Sequence, residues 1–492
     1  MDLLLTHSLF MALDPKQVQR QMPYPPLGTL YAAAALRKAG LRVALFDAML
    51  APGPEAFPAA IEACRPKLVA IYEDSFNWLS KMCLTRMRQA GLSMLESARR
   101  AGLPVLVHGS DPSDLPSAWL AAGATAVIVG EGEQTLVEAA HRLLQSGPLA
   151  REEVLGDVAG LVLPGTDPRP GRQRPIETRP DRFEPPARDL VDLDAYRRIW
   201  HAAHGHFRLN VAASRGCPYA CNWCARPIWG RRHAARSPEA VAEELAELAA
   251  SAAPDRIWFV DDVFGLAPGW TSAFGAAMAR RKLRLPFQAQ SRVDLIDEAY
   301  AEGLARAGCE ELWLGVESGS QRILDAMQKG YRSTELPAAV ERLRRHGIRV
   351  AFFLQLGYPG EVWTDIEASA DLVRRLRPDA IGVSVSYPLP GTPFHARVAA
   401  GMGRQDHWED SRDLAMLFQG TYRTDFYRAL HAALHREHAA MLNLDRPLGA
   451  LERQEAEREL AEAQAAWLAL AAGEAAARSA EPSRLSLAAD AG

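Results

Sequence analysis

In the first third of the chain, short runs of consecutive apolar residues alternate with longer stretches whose apolar positions follow a helical period. The runs are Leu3–Thr6, Val43–Asp47, Leu68–Tyr72, Val105–His108 and Ala126–Val129, and the stretches are Leu27–Ala39, Leu84–Ala101 and Gln134–Leu144. Unbroken apolar runs separated by helical patterns predict βαβ units and a parallel sheet covered on both faces. In open sheets of this kind ligands bind beyond the carboxyl ends of the strands. Those ends carry His7-Ser8, Asp47, Glu73-Asp74-Ser75, Gly109-Ser110-Asp111 and Gly130-Glu131-Gly132-Glu133. After Tyr72, Ser75 and Asn77 are expected to cap the helix that follows, leaving Tyr72, Glu73 and Asp74 to line a ligand cleft.

The alternation lapses between about residues 150 and 207. Val158–Leu163 and Ile176–Thr178 flank a Pro/Gly/Arg-rich turn and predict a small hairpin, with Arg169, Arg172 and Arg174 on a solvated loop. The proline- and charge-rich stretch after it reads as a linker. A second alternating region runs from about 208 to 428. Its strands are Phe207–Ala212, Arg256–Val260, Pro286–Gln290, Glu311–Val316, Val350–Leu356 and Ala380–Ser386. Helices Pro238–Ala250 (with Ser237 as N-cap), Thr271–Arg280, Asp297–Ala307, Gln321–Met327, Leu336–His346 and Thr364–Leu376 lie between them. Parallel strands in this number can form an open, partial barrel, which places chemistry at the carboxyl ends of its strands. From 429 onward, Ala429–Leu442 and Ala450–Ala472 read as helices, the second amphipathic, and the final Ala/Ser/Pro-rich residues read as disordered.

Composition narrows the function classes. With 56 basic against 60 acidic residues and a net charge of -4, there is no electrostatic case for nucleic acid or for an anionic membrane. No apolar stretch reaches the ~20 residues that span a bilayer, and no signal peptide is visible. Three of the six cysteines (Cys64, Cys83 and Cys309) are scattered, which argues against a disulfide framework and for a reducing cytoplasm. His431, His435 and His438 read as ordinary exposed histidines and Cys309 as structural.

The other three, Cys217, Cys221 and Cys224, lie in Ser214–Gly230 with C-x3-C-x2-C spacing. Thiolates this close on one loop can converge on a soft centre: an iron–sulfur cluster, zinc or Cu(I). Structural zinc wants four ligands, usually as two pairs; here there is a trio, with His233 as an outlying fourth candidate. A trio suits a four-iron cluster with one iron left open. The spacing, with Trp223 as the aromatic before the last cysteine, resembles the signature of the radical S-adenosylmethionine (SAM) superfamily, and NWCARPIWGRRHAARSPE is similar to its cobalamin-binding branch. PPLGTLYAAAALRKAG, HGSDPSDLP and VIVGEGEQTL likewise resemble the cobalamin-binding domain that precedes many such cores. Two departures stand out. The Asp-x-His-x-x-Gly loop is absent, which implies a corrinoid without a protein imidazole below it, and the usual Gly-Gly pair reads Gly109-Ser110.

The resemblance implies a Rossmann-like cobalamin-binding domain over 1–149, a connector over 150–207, a (β/α)6 partial TIM-barrel core over 208–428 and a helical C-terminal region over 429–492. It implies a [4Fe-4S] cluster on the three cysteines, with SAM on the open iron near Trp223. Asp261 and Asp262 fall where family members carry a group for the SAM amino end, with Gln290, Ser291 and Arg292 ending the next strand. Glu317 and Ser318 fall in the ribose-contacting segment, and Gln355 and Gly357 in the adenine-contacting turn. A carboxylate such as Glu317 can accept from both ribose hydroxyls. Cobalamin contacts are expected from Tyr72, Glu73, Asp74, Gly109, Ser110, Gly130, Glu131 and Gly132. The implied activity is methyl transfer to an unactivated carbon of a small-molecule or peptide substrate, with flavodoxin or ferredoxin as electron donor. An oxidative cyclisation or rearrangement, a radical SAM enzyme with a vestigial corrinoid domain, and a zinc-bound scaffold are the alternatives.

Overall fold

The computed structural model describes residues 1–479 apart from Cys83, 147–150, 168–170 and 226–227. Arg169, Cys83 and nearly all of the tail expected to be disordered lie outside the described residues. By contact the chain divides into two units: the first comprises 1–218, 225–262 and 407–413, and the second 219–224, 263–406 and 414–492.

In the first unit, β1 (Leu3–Thr6), β2 (Val43–Phe46), β3 (Leu68–Tyr72), β4 (Val105–His108), β5 (Ala126–Ile128) and β6 (Leu161–Val162) form a sheet in the order β2-β1-β3-β4-β5-β6. β1 to β5 pair in parallel, each ending within a residue of the apolar run that predicts it. β1, β3, β4 and β5 are buried throughout. Odd and even residues of β1 join different cores, Leu3 and Leu5 in one and Leu4 in the other, which is why the runs do not alternate. The expected hairpin does not form. β6 is only two residues long and adds antiparallel to β5 (Val127↔Val162), so its partner is the existing sheet edge and not 176–178. The linker is also more ordered than its composition suggests. Asp192 accepts from Ala195 N and starts helix Leu193–His204, whose Tyr196 and Trp200 are buried. Arg174 is not solvated: it donates to Thr135 Oγ1 at 2.7 Å and pairs with Glu138. Short helices at Pro15–Arg20, Phe57–Cys64 and Pro116–Ala121 were not expected, being too brief to show a period.

β7 (Arg208–Val211) begins the next region. A ribbon of β8 (Ser214–Arg215) and β9 (Ala234–Ala235) follows, then β10 (Arg256–Phe259), which pairs with β7 in parallel. In the second unit β11 (Phe287–Ser291), β12 (Cys309–Glu317), β13 (Arg349–Leu356) and β14 (Ala380–Val385) pair in parallel. Within the second unit the order is β14-β13-β12-β11, the sequential arrangement expected of a partial barrel. Burial alternates here. Phe287, Ala289, Leu312, Leu314, Ile381 and Val383 are buried, while Gln288, Gln290, Trp313, Gly382 and Ser384 are only half-buried. One face is packed and the other is partly open. On the open face Trp313 and Phe353 stack at 4.6 Å, with Phe353 36% exposed.

The C-terminal helices are longer than expected, at Thr424–Leu444 and Ala450–Ala477. The second is not simply amphipathic. It buries Ala456, Ala463 and Trp467, while Leu451 and Leu468 stay 82% and 70% exposed. His438 is buried and hydrogen-bonded to Pro378 O, not exposed. Cys309 is buried, its thiol donating to Glu311 O.

Candidate active site

At the strand ends of the first sheet, most of the expected carboxylates are committed to the protein itself. Glu73 accepts from Ser8 N at 3.0 and 3.2 Å, and Asp74 from Gly28 N at 2.8 Å and Phe76 N at 3.1 Å. Burial raises the pKa of both, and these bonds to the charged form offset part of that cost. Glu73 and Asp74 are thus each hydrogen-bonded to backbone of the strand-end loops. The capping expected of Ser75 and Asn77 is not seen: the buried Ser75 hydroxyl has no partner and Asn77 accepts from Leu79 N in a local turn, while the helices at 79–81 and 85–100 start without a side-chain cap. Tyr72 stacks on His108 at 3.9 Å. Burial holds the His108 pKa down at about 4; its Nε2 donates to Gly130 O and its Nδ1 is left unpaired.

The glycines have steric reasons to be glycine. Gly109 has φ +151°, and a Cβ there would sit 2.6 Å from Glu73 Cγ; one on Gly132 would sit 2.6 Å from His108 Cδ2. Gly130 has φ +81°. Glu131 is not free for a ligand: it pairs with Arg215 at 2.7 Å and accepts from Glu177 N.

A ligand would meet a different set of atoms. His7 Nδ1, Ser75 Oγ, His108 Nδ1 and Ser110 Oγ are buried without hydrogen-bond partners. They follow the ends of three neighbouring strands, β1, β3 and β4. Buried polar groups are rarely left unpaired, so this set fits a polar ligand such as the nucleotide portion of a corrinoid. His7 Nε2 lies 3.4 Å from Asp47, which also accepts from Tyr196 OH.

Asp261 is buried and accepts from Ala213 N at 3.0 Å and from Ser214 Oγ. Burial pushes its pKa up to about 7. It supports the start of the cysteine segment. Asp262, more exposed, pairs with Lys81.

In the second unit, Tyr219–Cys224 is fastened at several points. Asn222 makes the most bonds: its N donates to Met327 O (3.1 Å), its Nδ2 to Ala326 O (2.7 Å), and its Oδ1 accepts from Tyr358 OH (2.9 Å). Its carbonyl accepts from Phe394 N. Trp223 packs on the buried cluster of Met327, Tyr358, Phe394 and Phe418. Arg292 lies 3.6 Å over the Tyr219 ring, donates to Lys329 O at 2.6 Å and pairs with Asp294; its Nη1 is 3.8 Å from Cys221 Sγ. Cys221 is buried and Cys217 and Cys224 half-buried. Among the described residues no three His, Cys, Asp or Glu side chains converge as ligands of one ion. Three thiols within eight residues of one another are the donor type that holds iron in a cluster, so the donor chemistry fits one.

Glu317, at the end of β12, has φ +63° and follows a register shift after Gly315. Such backbone strain is sustained where the surroundings fix it. Here Lys329 Nζ donates to Glu317 Oε1 at 2.7 Å, both residues being buried. Ser318 Oγ accepts from Ser320 N, Ser291 shares a hydrogen bond with Tyr300 OH, and Gln290 supplies its carbonyl to Phe264 N. Gln355 Nε2 donates to Ser386 Oγ. Gly357 has φ +77°, and its missing side chain leaves room for Met416 and Tyr427. Glu361 secures the turn by accepting from Gly357 N. Arg215, Asn222, Lys329 and Glu361 were not singled out from the sequence. The first two lie inside the cysteine motif, where only the cysteines and the aromatic carry an obvious chemical signal.

Two family models match: the B12 binding domain over residues 18–140 and the radical SAM superfamily over 211–373. An uncharacterized methyltransferase of Pyrococcus horikoshii (PH0819) is 29% identical over 268 residues, 54% of this chain and 56% of that protein. The chain thus spans little more than half of that relative's length. The hopanoid C-3 methylase of Methylococcus capsulatus is 27% identical over 374 residues, 75% of this chain and 67% of the relative. Among solved structures, the radical SAM methyltransferase TsrM of Kitasatospora setae, with cobalamin and a [4Fe-4S] cluster bound, superposes with a TM-score of 0.69. The match covers 95% of this chain and 100% of that one at 17% identity, a likeness of fold. No helix among the described residues is long and apolar enough to cross a membrane. Residues 211–373 thus form a radical SAM domain and residues 18–140 a B12-binding domain.

Proposed function

We propose that the protein is a cobalamin-dependent radical SAM methyltransferase that modifies an unactivated carbon. The observation that carries this reading is the presence of two donor sets in one chain. One is a three-thiol loop held by Arg292 and Asn222; the other is a group of unpartnered buried polar atoms at the strand ends of a B12-binding fold. When bound, the cluster and SAM supply a 5′-deoxyadenosyl radical and the corrinoid supplies a transferable methyl group. Cys217, Cys221 and Cys224 hold the iron, and Arg292 keeps a positive charge at the Cys221 sulfur. Glu317, oriented by Lys329, offers its second oxygen to the SAM ribose, and Gln290 and Trp223 contribute to the same cofactor site. Ser110 and the glycines at 109, 130 and 132 shape the corrinoid site. The half-open face with Trp313 and Phe353 offers an apolar wall to substrate.

This reading places the corrinoid domain at 1–149, a connector at 150–207, the radical core at 208–428 and a helical region at 429–492. A flavodoxin or ferredoxin in a reducing cytoplasm supplies electrons, and the substrate is a small molecule or peptide. The relatives' names, methyltransferase and methylase, favour methyl transfer over cyclisation. Anaerobic reconstitution with iron, sulfide and hydroxocobalamin, followed by SAM and a reductant, provides the test. Methyl transfer yields S-adenosylhomocysteine and 5′-deoxyadenosine together. Deoxyadenosine alone would replace this reading with a rearrangement, and a protein that elutes without corrinoid colour would make the first domain vestigial.

A further inference from the structure

The cysteine segment leaves the first unit through a short stem that is tied down by charge. Ser214–Arg215 pairs antiparallel with Ala234–Ala235, and Cys217 follows two residues on. The chain turns through Gly216, φ +74°, where a Cβ would lie 2.3 Å from Arg232 O. The Arg215 side chain points away from the ribbon into an apolar setting. Its guanidinium sits 3.8 Å from the Phe183 ring centroid, 5.1 Å from Tyr31 and 5.5 Å from Phe76, and it is 5% exposed.

The partners of Arg215 come from one turn. Its Nη1 is 2.7 Å from Glu131 Oε1 and 2.8 Å from Glu133 Oε1. Both carboxylates belong to the Gly130–Glu133 turn that follows β5 and opens helix Glu133–Gln145. The same turn approaches the far side of the cysteine segment, since a Cβ on Gly130 would lie 3.7 Å from Ile228 O. It is tied back to the neighbouring strand ends through His108 Nε2 and Gly130 O.

This is a poor way to gain stability. Two buried carboxylates on one guanidinium leave a net negative charge out of water, and Arg215 Nη2 has no acceptor. A well-packed apolar cluster would serve a purely structural role at least as well. What the arrangement does supply is register, because a fork-shaped donor between two carboxylates of one turn fixes the stem's position on that turn.

We propose that Arg215 is a positioning residue that couples the corrinoid-side turn to the stem of the cysteine loop, so that loading either cofactor tightens binding of the other. The inference rests on the cofactor reading above. It also makes Glu131, expected as a ligand contact, part of the cradle of this arginine together with Glu133.

The full-length protein is titrated anaerobically with hydroxocobalamin, with and without the reconstituted cluster, following corrinoid absorbance. The cluster-loaded wild type is expected to bind about tenfold more tightly than the cluster-free protein, and cobalamin should slow loss of iron to a chelator, as linkage requires. The reduced cluster's electron paramagnetic resonance signal should also shift on adding cobalamin. Arg215→Lys keeps the charge but loses the fork. It should hold both cofactors with an affinity ratio near one and an unshifted signal. If Arg215→Lys does not fold, Glu133→Gln, which leaves the Glu131 pair intact, serves in its place with the same expected outcome. An unchanged ratio in the variant, or a ratio of one in the wild type, overturns the coupling. A wild type that takes up neither cofactor overturns the cofactor reading instead.

Discussion

Two buried arginines hold the cysteine segment, Arg215 within it and Arg292 at Tyr219 and Cys221, and they do so by different physics. In the first unit Arg215 lies between two carboxylates and three aromatic rings and touches no sulfur. In the second, Arg292 has one carboxylate, one backbone carbonyl and one ring, and its remaining nitrogen faces the Cys221 thiol. The first is a fastening, since its partners are all structural. The second is part of the metal chemistry, since its charge acts on a ligand atom. Both are equally buried arginines; only their partners separate them.

The largest effect comes from removing the sulfur itself. Cys221→Ala should abolish cluster retention and SAM cleavage, read as iron content and 5′-deoxyadenosine formed; a variant that keeps both would refute the assignment of the loop. Next, the two arginines should fail differently. Arg215→Met leaves two unpaired buried carboxylates and should destabilise the fold by about 3–5 kcal/mol, seen in denaturant unfolding of the apoprotein. Arg292→Met leaves Asp294, which is partly exposed and can hydrate, so the cost should be about 1–3 kcal/mol. Its larger signature should be a more negative cluster reduction potential, because a cation near the thiolates favours the reduced cluster. Equal stability losses with unchanged potentials would erase the distinction.

The intermediate case is Asn222, which fastens the loop without charge. Asn222→Ala removes a donor to Ala326 O and an acceptor from Tyr358 OH and should cost about 2 kcal/mol. Because the backbone bonds to Met327 O and from Phe394 N remain, the cluster should still bind but exchange iron faster, which chelator competition would show.

The contrast also marks what could be read from the sequence. Apolar runs located the parallel strands to within a residue or two; in the first unit most are buried throughout and leave a pattern that needs no partner to interpret. β6 did not, because a two-residue strand has no pattern and its pairing is set by the edge it meets. The strand-end loops were found by position, but the roles of their carboxylates were not. Glu73, Asp74, Glu131 and Asp261 look like ligand contacts in sequence and are used by Ser8 N, Gly28 N, Arg215 and Ser214 in the structure. A carboxylate's partner is a fact of the fold. Lys329 shows the converse: nothing in sequence marks it, yet it is buried on Glu317. An arginine directly before Gly-Cys and an asparagine between two cysteines were the available hints, since polar residues inside a tight ligand loop have little solvent to face.

The smallest effect tests the turn beneath the second anchor. Glu361 is 0% exposed, its Oε2 accepts from Gly357 N, and its Oε1 has no partner. Burial pushes its pKa from 4.5 up to about 8, with Asp365 adding to the rise and Arg322 opposing it. A carboxyl group whose pKa is raised by folding binds its proton more firmly in the native state. Between about pH 4.5 and 8 the native protein therefore holds a proton that the unfolded chain has lost, and stability falls as pH rises through that window. Below the window the penalty is absent; above it the penalty is complete and no longer grows. Glu361→Gln keeps an acceptor for Gly357 N and cannot ionise, so its unfolding midpoint should decline less between pH 5 and 8 than that of the wild type. The two should differ most at the alkaline end, where the wild type alone carries the buried charge. If the two profiles run parallel, Glu361 is not the titrating group, and the turn that carries Tyr358 to Asn222 is held by other means.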